Sequence, residues 1–92
     1  MTTEDEKARA WVQAAEIPGY DRFMWRRDTD GYAIRWSDYG DRSSEFGWEI
    51  DHITPLGIGG LDHVHNIRAR HWRGNASAGG SLGGLLSALR GR

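Results

Sequence analysis

Two short alternating segments, separated by a proline- and glycine-rich stretch and followed by a helix-compatible run, constrain this chain more than any other feature. In Trp48-Glu49-Ile50-Asp51-His52-Ile53, period-2 alternation sends Trp48, Ile50 and His52 to one side of a strand and Glu49, Asp51 and Ile53 to the other. Asp51 and His52 therefore leave one strand end on opposite faces. Residues 54–65 contain Pro55, Gly57, Gly59 and Gly60, which predicts a loop with a tight local turn, closed by Asn66. Beyond it, Ile67, Ala69 and His71 alternate with Arg68 and Arg70, which suits a strand with an apolar inner face and a basic outer one. A helix beginning at Ile67 fits almost as well by propensity. Residues 72–78 read as a helix ended by Gly79-Gly80.

The rest of the chain has to supply a core for this segment. Ninety-two residues make one domain of marginal stability, because a short chain buries a smaller share of its surface than a long one. The absence of cysteine excludes both a disulfide framework and a thiolate zinc ribbon. Five tryptophans, three tyrosines and two phenylalanines are the substitute, since aromatic rings bury more area than aliphatic side chains. Trp48 and Trp72, which flank the segment, are expected in that core. No apolar run is long enough to span a bilayer, and the acidic amino terminus does not resemble a signal sequence, so a cytoplasmic location with no membrane partner is expected.

Upstream, residues 3–16 read as a helix: Thr3 and Glu6 have capping-box spacing, and Ala8, Trp11, Val12 and Ala15 recur at helical intervals before Pro18-Gly19. Asp28-Thr29-Asp30-Gly31 is a turn signal, so residues 23–27 and 32–36 are expected to pair as a hairpin. At the other end, Leu82, Leu85, Leu86 and Leu89 have helical spacing, interrupted by Gly83-Gly84, and predict a packing or partner-binding helix. The formal net charge is −1, but residues 1–50 carry seven Lys/Arg against eleven Asp/Glu, and residues 51–92 carry five against two. That split is compatible with one basic face able to attract phosphates.

Taken together, Asp51-His52-Ile53-Thr54-Pro55, Gly59-Gly60, Asn66 and Asn75 resemble the HNH endonuclease signature, with asparagine in its third place. The resemblance covers residues 48–80. It implies an α+β fold class: a small ββα-metal core at 48–80 within a single domain over 1–92, an N-terminal helix in 1–19, a preceding β-hairpin, and a C-terminal amphipathic helix or tail in 81–92. It also implies a metal-dependent endonuclease that hydrolyses or nicks DNA, with Asp51 and Asn75 as metal ligands and His52 as general base. Asn66 would hold the loop and orient His52.

The residue chemistry agrees with these roles. Histidine ordinarily titrates close enough to neutrality to take a proton from water. Carboxylate and amide oxygens are hard donors suited to Mg²⁺ or Mn²⁺. Where many relatives place zinc-binding cysteines this chain has His71 and Gly74, so no structural zinc is expected. Gly79 stands where some relatives carry a further metal-binding histidine, which favours the two-ligand site.

His71 has two readings. On a continuous helix it would share a face with Asn75 and join the metal; in a strand-then-helix geometry it packs or hydrogen-bonds nearby. Ala76-Ser77-Ala78 replaces the basic residues that relatives often carry, which leaves Arg68, Arg70 and Arg73 as the candidates for DNA phosphate contacts. A solvated basic face is the alternative for each. DNA gripped mainly through its backbone is the expected partner, and the acidic first half and leucine-rich tail also make a protein partner or homodimer credible. The competing function is a non-catalytic DNA-binding or protein-interaction module that keeps the fold within a larger assembly.

Overall fold

A computed structural model describes residues 4–60 and 64–77. The described residues form an α+β fold with two helices and two antiparallel sheets. Helix α1 spans Glu4–Trp11, with Glu4, Asp5 and Glu6 in its first turn, where negative charge complements the helix dipole. The expected helix over 3–16 is thus shortened, and Thr3 lies outside the described residues. Past Trp11, Gln13 N donates to Ala10 O and Ala14 N to Trp11 O, which are the i→i−3 bonds of a tightening last turn. Buried Arg26 then donates from Nη1 to Ala14 O at 3.0 Å, capturing a carbonyl that a longer helix would have used. Strand pairing takes over at Ala15–Glu16, strand β1.

Strands β2 (Trp25–Arg27) and β3 (Ala33–Arg35) form the expected hairpin in the register Trp25 to Arg35, Arg26 to Ile34 and Arg27 to Ala33. β1 adds to β2 as a third antiparallel strand, giving the order β1-β2-β3. The connecting turn closes around Asp28, whose Oδ1 accepts from the backbone N–H groups of Asp30 (3.0 Å) and Tyr32 (2.9 Å).

β4 (Trp48–His52) and β5 (Ile67–His71) make the second sheet, pairing Trp48 with His71, Glu49 with Arg70, Ile50 with Ala69, Asp51 with Arg68 and His52 with Ile67. Strand, not helix, is the outcome for residues 67–71, and Ile67, Ala69 and His71 are the buried positions. Directly opposed residues share a face, so the hairpin has one apolar face and one face bearing Glu49, Asp51, Arg68 and Arg70. Against the apolar face pack Ala10 and Trp11 of α1, Ala14 and Ile34, with Trp36, Tyr39 and the face's own Ile50 at the margin. Trp11 lies edge-on to Trp36 (5.5 Å between centroids) and close to Trp48 (5.1 Å), and Trp36 and Trp48 are 5.6 Å apart. The aromatic core expected from composition is centred on these three rings, and Trp48 is fully buried.

Helix α2, Trp72–Ser77, follows β5 without a loop. Its expected glycine stop at 79–80, and the C-terminal helix or tail at 81–92, lie outside the described residues. No helix among the described residues is long and apolar enough to cross a membrane.

Candidate functional site

The polar face of the β4–β5 hairpin and the helix that follows it bring most of the candidate residues together. Asp51 is buried at 4% exposure, and its Oδ2 accepts from Arg68 Nε at 2.9 Å, with Arg70 Nη1 at 3.7 Å. A carboxylate this sheltered from water requires such charge-assisted partners. Two positions earlier on the same face, roughly 7 Å along the strand, stands Glu49. Asn75 of α2 reaches it: Nδ2 donates to Glu49 Oε1 at 2.7 Å. Asn75 is itself buried, and its Oδ1 has no hydrogen-bond partner among the described residues. An amide oxygen withdrawn from water and left unpaired is costly, and such groups in folded proteins call for an explanation.

His52 is the last residue of β4 and is half-buried, paired in register with Ile67 and so turned away from the Asp51 face. The chain leaves the strand immediately afterwards and is caught by Asn66. Asn66 Oδ1 accepts from Thr54 N (2.7 Å), its Nδ2 donates to Thr54 O (3.0 Å), and its carbonyl accepts from Ile53 N (2.8 Å). These three bonds hold the backbone directly after His52, where a loop-holding role was expected for Asn66. The paired glycines complete the turn. Gly59 ends a short 3₁₀ segment, Leu56–Ile58, at φ +94°, and a Cβ at Gly60 would stand 1.9 Å from Thr54 O.

His71 takes the packing reading. It is fully buried, and its Nδ1 accepts from Arg73 N at 3.0 Å, so the ring hydrogen is on Nε2, which donates to Glu45 O at 2.8 Å. With both nitrogens engaged and the ring stacked 4.4 Å from Tyr32, His71 has no lone pair to give a metal. The continuous-helix geometry that would have aligned it with Asn75 is absent, because residues 67–71 are strand. The arginines divide. Arg68 binds Asp51, and Arg70 binds Asp30 Oδ2 at 2.9 Å as well as approaching Asp51. Arg73 is exposed, its guanidinium 5.1 Å from the Trp72 ring centre. Trp72 is only half-buried and donates from Nε1 to Ser44 O at 2.7 Å.

Glu49 and Arg42 are site members that sequence alone does not single out. Arg42 grips Glu49 with Nε on Oε2 (2.5 Å) and Nη2 on Oε1 (2.8 Å). That grip, helped by the Asn75 amide and opposed by partial burial, holds the Glu49 carboxyl below its ordinary range. Strand alternation already put Glu49 on the face of Asp51, and that was the available signal. Nothing local in sequence points to Arg42, which arrives on the 41–47 loop.

For a divalent cation the chemistry on offer is a carboxylate and an unpaired amide oxygen, both hard donors, with a second carboxylate beside them. Among the described residues no group of three or more His, Cys, Asp or Glu side chains converges as a metal cage. A two-ligand site completed by water and phosphate oxygens does not require one. No protein-family model, curated protein or solved structure matches the chain.

Proposed function

We propose that the chain is a divalent-metal-dependent endonuclease with a ββα-metal core of the HNH type, hydrolysing or nicking DNA backbones. The observation that carries this reading is Asn75 Oδ1, buried and without a partner among the described residues, on a side chain whose Nδ2 bonds Glu49 on the Asp51 face of β4. Mg²⁺ or Mn²⁺ held by Asp51 and Asn75 would stabilise charge developing on the phosphate and on the departing 3′ oxygen. His52, at the strand end, accepts the proton of the attacking water, and Asn66 keeps the backbone behind it from shifting. A phosphodiester lying across the end of β4 meets Asp51 from one side of the strand and His52 from the other. Arg73 is the exposed arginine best placed to touch a phosphate without giving up a carboxylate partner.

A second reading, the non-catalytic DNA-binding or protein-interaction module, is favoured by the Arg68–Asp51 ion pair, in which the guanidinium neutralises the carboxylate without a metal ion. A plasmid-nicking assay separates the two. The parent protein is expected to nick with Mg²⁺ or Mn²⁺ and to stop when EDTA is added, while His52→Ala loses roughly 10²–10⁴-fold in rate. Equal cleavage by parent and variant removes His52 as base. Absence of cleavage by the parent in every metal supports the module.

A further inference from the structure

Resting on the metal site proposed above, we infer that Glu49 is a positioning residue, which with Arg42 sets which end of the Asn75 amide is offered to the cation. A primary amide has a donor end and an acceptor end of almost the same shape, and a half-turn about its last side-chain bond exchanges them. Only the acceptor end serves a metal. Glu49 breaks the tie because an ionised carboxylate accepts and never donates. The amide end at 2.7 Å from Oε1 must be the NH₂, and the oxygen is thereby left as the buried end, unpaired among the described residues.

Arg42 makes this choice firm. Its two bonds fix the carboxylate plane, and Oε1 is shared between Arg42 Nη2 and Asn75 Nδ2. The same guanidinium places one N–H on each carboxylate oxygen, so Glu49 meets Asn75 as an acceptor. Without Glu49, the amide is released to turn its NH₂ inward, where it would meet the cation with the wrong polarity. Outer partners of this kind typically change metal affinity 10–100-fold when removed.

Three full-length variants test the assignment by Mn²⁺ and Mg²⁺ titration calorimetry and by the side-chain NH₂ signals of Asn75 in ¹⁵N-correlated spectra of the metal-free protein. Glu49→Leu is expected to weaken Mn²⁺ binding about 10–100-fold and to move the two Asn75 amide proton shifts to those of a solvent-exposed asparagine. Glu49→Gln, whose side-chain oxygen still accepts from Asn75, should restore affinity to within about threefold of the parent and keep those shifts near the parent's. Arg42→Ala should fall between the two. Parent-like affinity and unmoved amide signals in Glu49→Leu overturn the inference, and so does a Glu49→Gln as weak as Glu49→Leu. A Glu49→Leu chain that fails to fold leaves the decision to Glu49→Gln and Arg42→Ala. A parent that binds neither ion overturns the nuclease reading instead, and the Asn75 signals then decide alone whether Glu49 sets the amide.

Discussion

Asp38 shows how much a single carboxylate organises around the site without belonging to it. Its Oδ2 accepts from Arg35 Nε (3.2 Å), Arg35 Nη2 (2.9 Å) and Ser44 Oγ (2.5 Å), and its Oδ1 from Ser37 Oγ (3.2 Å). Ser44 lies on the 41–47 loop that delivers Arg42 to Glu49, Glu45 O to His71 and Ser44 O to Trp72. The Arg35 hydrogen bonds, then that of Ser44, draw the Asp38 carboxyl below its ordinary value of 3.8. A carboxyl lowered on folding adds stability that is complete above its unfolded value and is lost as pH falls through the folded one. Unfolding free energy followed by denaturant titration should therefore drop from about pH 4 downward, and Asp38→Asn should flatten that acid limb while lowering stability at neutral pH. An unchanged acid limb in the variant would assign the loss to other carboxylates.

Among the elements, the β4–β5 hairpin and its loop were the most legible in sequence and α1 the least. Alternation in both strands reads directly as two faces, and Gly59-Gly60 reads as a turn because one has a positive φ and the other has no room for a side chain. The end of α1 was hidden because Ala14 and Ala15 are good helix formers, and what stops them is Arg26, twelve residues beyond Ala14. Local propensity carries no trace of such a partner. His71 was ambiguous for a related reason, since both of its ring partners lie outside its own strand. Arg68 and Arg70 are candidates for phosphate contact, or for a solvated basic face, because sequence shows charge without showing its neighbours, here Asp51 and Asp30. The loop makes its own prediction. Asn66→Ala removes both side-chain bonds to Thr54 and should cost roughly 1–2 kcal/mol in chemical denaturation. A loss of only a few tenths would mean that the glycine turn alone holds the strand end.

At the scale of the whole molecule, charge and core are arranged to different ends. The excess of acid in residues 1–50 is spent partly on the basic second half, as Asp30 meets Arg70 and Asp28 Oδ2 accepts from His71 N. Arg70 is consequently less available to an outside anion than composition suggests. The core, by contrast, rests on Trp11, Trp36 and Trp48 in mutual contact. Trp48→Ala should cost about 3–5 kcal/mol, a large part of the roughly 5–15 kcal/mol available to a domain, whereas Trp48→Phe should retain a cooperative thermal transition by circular dichroism. A cooperative, parent-like transition in Trp48→Ala would show that the other rings close the gap. The two aspartates of the β2–β3 turn also reach β5 across sequence separations of 40 and 43 residues. The segment from Trp48 onward is therefore no transplantable cassette. Cut free of residues 1–47 it would lose the Asp30 partner of Arg70 and the acceptor of the His71 amide together with two of the three core indoles, so its integrity depends on contacts closed over long loops.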